Sequence, residues 1–229
     1  MKYDLVLFDL DGTLFDYKKA EKYALTNAFA DFGINDLSAE LTKKYQDINH
    51  EIWQKFEQKK ITSVKLRTER FKILFEQEAM DFDPVKFSQR YLYHLSQADF
   101  YLPKAKELIK YFHGKVKMAL ITNGLSDVQQ GRYGKSDIKD FVPHIFISEE
   151  IGIPKPHPEI FEFIFEQLNF NDKEKALIVG DSLNSDIQGG NNFGIDSVWF
   201  NQDMMENTGT SVPTYEINDL NELKKIVSI

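Results

Sequence analysis

Leu5-Val6-Leu7-Phe8-Asp9-Leu10-Asp11-Gly12-Thr13 runs four apolar residues together and then closes them with two acids and a glycine. A continuous apolar run bounded by a turn signal reads as a strand buried on both faces, the kind found inside a parallel sheet. Asp9 and Asp11 then stand at the strand's C-terminal end. In open α/β sheets that edge is where ligands bind, in the crevice where the strand order changes direction. Asp11-Gly12 is also good hairpin chemistry. Leu14 to Tyr23 show no strand alternation, however, so a hairpin has no second arm.

Downstream of this stretch, about Lys18 to Gln97 reads as helical throughout. Leu41, Tyr45, Ile48, Ile52, Trp53 and Phe56 step by three and four, which lines one helix face with apolar groups. Leu66, Phe71, Ile73, Leu74 and Phe75 predict a further helix, and Phe87, Tyr91, Leu92 and Leu95 another. Gly33, Ile61-Thr62-Ser63 and Asp83-Pro84 punctuate them. Arg67 and Arg70, three apart on one face, read as surface ion-pair partners, with contact to a ligand's phosphate or base as the alternative.

From Leu102-Pro103 the pattern becomes strands alternating with helices. Pro103 suits the first turn of a helix running to about His113. Val116 to Ile121 reads as a strand ending in Thr122-Asn123-Gly124, and His144 to Ile147 as a short one. Pro158 opens a helix to Leu168, with His157 as its cap. Ala176 to Val179 is a buried strand ending in Gly180-Asp181-Ser182. Gly189 and Gly190 permit close packing of the next helix, and Gly194 caps its end. Asp196 to Phe200 is the last clear strand, Asn201 to Pro213 a flexible surface loop, and Asp219 to Val227 a final helix. Such alternation builds a parallel, Rossmann-like α/β sheet covered on both faces, here with an all-helical insertion after its first strand.

The 229 residues carry 42% apolar and 14% aromatic side chains, a globular composition. No cysteine is present, which excludes disulfides, thiolate catalysis and cysteine-based zinc sites. A formal net charge of -8 argues against a basic nucleic-acid face. The N-terminal residues hold no basic region and no apolar stretch of membrane-spanning length, so a soluble, cytoplasmic chain without membrane contact is expected.

Three predicted strands therefore end in polar groups at one sheet edge: Asp9 and Asp11, then Thr122 and Asn123, then Asp181. Between the last two lies Pro154-Lys155-Pro156-His157-Pro158, whose prolines restrict the backbone around Lys155. Each piece has an ordinary turn or surface reading. Together they suit phosphoryl transfer through an aspartyl-phosphate. A carboxylate serves as nucleophile there, and positive charge must offset its repulsion from phosphate. Magnesium favours carboxylate oxygens; Asp9 and Asp181 are the candidate ligands, with Asp186 one helical turn further on. Lys155 supplies a second cation, Thr122 and Asn123 hydrogen bonds to phosphate oxygens, and Asp11 a proton for the leaving oxygen.

Asp9-Leu10-Asp11-Gly12-Thr13, Thr122, Lys155 and Gly180-Asp181-Ser182-Leu183-Asn184-Ser185-Asp186 resemble, in order, the four motifs of the haloacid dehalogenase superfamily in its magnesium-dependent phosphatase branch. The resemblance implies a HAD-like core of residues 1–14 and 103–229 with a helical cap of residues 15–102. It implies that Asp9 is nucleophile and metal ligand, that Asp11 is general acid/base with its backbone carbonyl on magnesium, and that Asp181 is a further ligand, with Asp186 ligating directly or indirectly. Ile121 to Leu125, Ile147 to Gly152, Ser185 to Gly190 and Trp199 to Asn201 are similar to bacterial 5′-nucleotidases of pyrimidine and noncanonical nucleoside monophosphates.

The expected partner is thus a small phosphorylated metabolite, a nucleoside monophosphate in the first instance, acted on by a monomer or small homo-oligomer. A sugar-phosphate phosphatase or phosphoglucomutase would use the same core residues with another cap. A dehalogenase has no use for the proton transfer assigned to Asp11, and a non-catalytic binding module has no use for an intact Asp9, Asp11, Lys155 and Asp181. Cap phenylalanines or Trp53 are candidates to stack on a nucleobase.

Overall fold

β1 (Leu5–Phe8) has every residue buried and lies in the middle of the sheet, as its unbroken apolar run requires. The computed structural model describes residues 1–58 and 60–228. After β1 come four helices, α1 (Tyr17–Asp31), α2 (Ala39–Glu57), α3 (Ser63–Gln77) and α4 (Pro84–Ser96). The alternating part follows: α5 (Ala105–Phe112), β2 (Lys117–Thr122), α6 (Ser126–Lys135), β3 (Ile145–Ile147), α7 (Ser148–Ile151), α8 (Pro158–Gln167), β4 (Ala176–Gly180), α9 (Gln188–Phe193), β5 (Asp196–Phe200), β6 (Tyr215–Ile217) and α10 (Leu223–Ser228).

The sheet order is β3-β2-β1-β4-β5-β6, and all its pairings are parallel. Strand order reverses beside β1, which is flanked by β2 on one side and β4 on the other. Phe8 is level with Leu120 and with Val179. The residues leaving these strands therefore do so next to one another at the carboxyl edge.

The period-two alternation of the strands divides the core in two. Val6, Phe8, Leu177, Val179 and Val198 face Leu108, Ile109 and Phe112 of α5 and Leu223 and Val227 of α10. Leu5, Leu7, Ala119, Ile121 and Ile178 face Ile160, Phe161, Ile164 and Phe165 of α8 and Phe193 of α9. Gly189 and Gly190 let α9 lie close: a Cβ on Gly190 would come within 2.8 Å of Ile178 Cγ2 and 3.2 Å of Ser197 Cβ.

The chain falls into two compact units. One comprises Met1–Tyr17, Phe100–Ser126 and Tyr133–Ile229, the other Lys18–Asp99 together with Asp127–Arg132. In the second unit Phe29, Phe71, Phe75 and Phe87 form an aromatic core, with ring centroids 4.7 Å apart for Phe29 and Phe87 and 5.0 Å for Phe71 and Phe87. α2, α3 and α4 each start on a side-chain cap. Ser38 accepts from Leu41 N, and Asp83, just before Pro84, accepts from Val85 N and Lys86 N.

Arg67 is an ion-pair partner as its spacing suggests, donating to both oxygens of Asp127 at 2.8 Å. Arg70 is not on the surface. It is buried, donates to Asn49 Oδ1 at 2.8 Å, and Asn49 in turn donates to Glu21 Oε1 at 2.9 Å, so the charge reaches a carboxylate through an amide. Trp53 is half-buried against Phe56.

Four local expectations are corrected. Pro103 lies outside α5, because Lys104 takes a left-handed backbone (φ 68) before the helix begins. β6 is a strand that three residues could not announce by alternation. The segment before it is tied down: Asn201 bonds to the Met205 backbone through both ends of its amide, and Asn191 does the same with Val212. The final helix is split, with a tight turn at Leu220–Glu222 preceding α10. Among the described residues no helix is long and apolar enough to cross a membrane.

Gly190→Ala is expected to destabilise the protein by about 1–3 kcal/mol through overpacking. Gly134→Ala, where a Cβ meets nothing within 4 Å on α6, should leave stability unchanged or raise it by up to about 1 kcal/mol. Urea denaturation midpoints check both.

Candidate active site

Asp9 is the first residue past β1, and its N–H still pairs with Val179 O at 2.9 Å. The chain then turns sharply: Phe15 N donates to Leu10 O and Gly12 N to Phe15 O. Gly12 has φ 85, and a Cβ there would sit 2.3 Å from Asp181 Oδ2. Glycine is needed both for the backbone angle and for the approach of that carboxylate. Thr13, in the same turn, donates its hydroxyl to Asp9 Oδ2 at 3.2 Å.

Lys155 reaches this point from the loop between α7 and α8. Its Nζ donates to Asp9 Oδ1 at 2.6 Å, to Asp186 Oδ1 at 2.6 Å and to Ile121 O at 3.0 Å. Those acceptors match the three protons of an ammonium group, and the side chain is only 1% exposed. The Asn123 side chain meets the Lys155 backbone, accepting from its N–H and donating to its carbonyl, each at 2.9 Å.

Asp186 comes inward on a widened π turn, Leu183–Ile187, where Ser182 O accepts from both Asp186 N and Ile187 N. Such turns are often found at functional sites. Asp186 Oδ2 accepts from Ser182 N at 3.0 Å. A Cβ on Gly180 would fall 2.1 Å from Asp186 Cγ, so only glycine can end β4 here. Trp199 Nε1 donates to Asp181 O at 2.9 Å and anchors that backbone from β5.

Asp9, Asp181 and Asp186 each offer a carboxylate oxygen, all within 4.8 Å of one another, the arrangement a hard cation requires. When ionised they carry three negative charges, of which Lys155 offsets one. The remaining charge matches a divalent ion, so the donor set fits magnesium. Burial drives the Asp9 carboxyl up to about 7; the Lys155 ammonium opposes that rise, while Asp186 and Asp11 add to it. Asp181 is raised as well, first by the protein around its carboxyl and then by Asp9 and Asp186. It is the solvent-exposed member of the three, so water tempers its rise. Burial works against the Lys155 ammonium, yet Asp186 and Asp9 outweigh it and hold the group above its ordinary value.

The sequence-selected residues thus stand as follows. Asp9, Lys155, Asp181 and Asp186 are brought together. Thr122 is buried at the end of β2, its hydroxyl accepting from Gly124 N at 3.0 Å. Asp11 is half-buried in the turn, and its carboxylate is not part of the three-acid group. His157 precedes α8 but makes no capping bond with its side chain. Thr13 as a partner of Asp9, and the Asn123 side chain as a partner of Lys155, carry no sequence signal beyond their closeness to the motifs.

The haloacid dehalogenase-like hydrolase family matches residues 3–194. The chain belongs to this family. This haloacid dehalogenase-like hydrolase is 37% identical over 224 residues to the pyrimidine 5′-nucleotidase PynA of Streptococcus pneumoniae, covering 97% of this chain and 94% of that one. It is 32% identical over 227 residues to the pyrimidine 5′-nucleotidase YjjG of Escherichia coli, covering 99% of each. The crystal structure of YfnB from Bacillus subtilis, bound to magnesium and revealing interdomain movement in that protein, covers 100% of both chains at 35% identity with a TM-score of 0.94. The two share one fold, a parallel α/β sheet with helices inserted after its first strand.

Asp9 titrates near 3.8 in an unfolded chain and at about 7 when folded. Across that window the folded state holds a proton that the unfolded chain has released, so this group's contribution to the stability of the metal-free hydrolase falls as pH rises. Magnesium competes with that proton for the same oxygens. The gain in Tm on adding magnesium should therefore be larger at pH 8 than at pH 6. An equal or smaller gain at pH 8 counts against this carboxylate group as the cation site.

Proposed function

We propose that this hydrolase is a magnesium-dependent phosphomonoesterase working through an aspartyl-phosphate on Asp9, with nucleoside 5′-monophosphates as its substrates. The observation that carries the proposal is a nucleophile-grade carboxylate held from both oxygens. Lys155 grips Asp9 Oδ1 and Thr13 grips Oδ2, beside two further acids able to share a cation. Orientation of this kind removes much of the entropic barrier to attack. The pyrimidine 5′-nucleotidase relatives support the substrate class.

In this reading Asp9 attacks phosphorus, the bond from phosphorus to the ester oxygen breaks, and Asp11 passes its proton to that oxygen. The nucleoside leaves as an alcohol. Asp11 then takes a proton from water as that water attacks the aspartyl-phosphate, which frees Asp9 and inorganic phosphate. Thr122 and the Asn123 backbone N–H hold phosphate oxygens, and Lys155 keeps positive charge beside the attacked group. Asp9, Asp181, Asp186 and the Asp11 carbonyl would hold magnesium, which supplies Lewis-acid neutralisation of the phosphate's charge.

Hydrolysis of p-nitrophenyl phosphate should vanish with a chelator and return with magnesium, and Asp9→Asn should lower kcat by about 1,000-fold or more. Activity that survives either change overturns the mechanism. Against a panel of nucleoside monophosphates and sugar phosphates, kcat/KM should be highest for the nucleotides. A flat profile would leave phosphatase activity without nucleotide preference.

A further inference from the structure

We propose that the side chain of Asn123 is a positioning residue for Lys155, and through it for Asp9, which gives the amide a role apart from any grip on phosphate. The kinetic part of this inference rests on the phosphatase reading above. Its geometric part does not.

Both functional ends of the Asn123 amide are committed to one residue. Oδ1 accepts from Lys155 N, and Nδ2 donates to Lys155 O, each at 2.9 Å. Two bonds from a planar group to the two polar groups of one residue fix that residue's height above the sheet and its rotation about the chain axis. No single bond would do both. Lys155 needs such holding. It lies in a loop between prolines, and Pro154 and Pro156 have no N–H with which to bind it to the protein.

The following residue is held from another direction, because Asn192 Nδ2 of α9 donates to Pro156 O at 2.9 Å. At the far end of the side chain, one of the three acceptors of Nζ is Ile121 O. Ile121 and Asn123 belong to the same strand exit. The end of β2 thus grips Lys155 by its backbone and by its ammonium, and sets the distance at which Nζ meets Asp9 and Asp186. The choice of residue follows. An aspartate would turn an oxygen toward the Lys155 carbonyl, a glutamine would overshoot by one methylene, and an alanine would release both bonds.

The experiment uses the full-length enzyme with magnesium. Lys155, at 1% exposure, should resist acetylation by acetic anhydride in the wild type when followed by mass spectrometry. In Asn123→Ala its labelling should rise on the order of ten-fold through local opening. In the same variant kcat on p-nitrophenyl phosphate should fall by about 10- to 100-fold through misplacement of the reacting groups. Asn123→Asp keeps the size of the side chain and the acceptor for Lys155 N–H but sets a carboxylate oxygen against the Lys155 carbonyl in place of the donor, and should show both effects. This second variant preserves the test if Asn123→Ala does not fold.

Lys155 protected and kcat unchanged in a folded variant overturns the proposal. So does a raised inhibition constant for inorganic phosphate with Lys155 still protected, since that marks the amide as a phosphate ligand. If the wild type hydrolyses no phosphomonoester, the functional reading fails, and the labelling comparison still decides whether Asn123 positions Lys155.

Discussion

One buried ammonium organises the chemistry of this chain. Lys155 Nζ lies 2.6 Å from Asp9 and 2.6 Å from Asp186, with a backbone carbonyl as its third acceptor. Carboxylates brought this close repel one another, and burial raises the cost of each charge. A fully paired cation between two of them makes the arrangement tolerable while leaving a negative excess. That excess matches the charge of a divalent ion.

The backbone around the site is shaped to this charge arrangement. Gly12 and Gly180 occupy places where a Cβ would collide with Asp181 and with Asp186. The π turn at Leu183–Ile187 adds the residue that carries Asp186 inward. Trp199 and Asn123 hold the backbones of Asp181 and Lys155 from the neighbouring strands. The sheet sets the frame for all of these, because the parallel register puts the ends of β1, β2 and β4 at one level, at the place where strand order reverses. The chain belongs to the haloacid dehalogenase-like hydrolases, and its three grouped carboxylates and one buried ammonium meet at this carboxyl edge of the sheet.

The helical unit shows where pattern alone misleads. Spacing of three put Arg67 and Arg70 on one face of α3 and suggested the same surface role for both. Arg67 takes it with Asp127. Arg70 is buried with its guanidinium over the rings of Phe71 and Tyr91, and the Asn49 amide links it to Glu21. A helical face spans enough arc that residues three apart can lie on opposite sides of the line where solvent gives way to core. Which side each falls on depends on the packing of the neighbouring helices.

The sequence by itself determined the order of strands and helices, the helical insertion after β1, and the acids, threonine and glycines at strand ends. These follow from hydrophobic period and turn chemistry, which act over a few residues. It also carried the four family motifs, each a short local pattern. Only the tertiary structure decided that Lys155 meets Asp9 across 146 positions of sequence, that Asn123 spends its amide on Lys155, that Arg70 is buried, and that Tyr215–Ile217 joins the sheet as an edge strand. The reason is physical. A residue's spacing along the chain states which face or end of an element it occupies, but the distance between side chains of different elements is set by how the sheet is registered and how its layers pack.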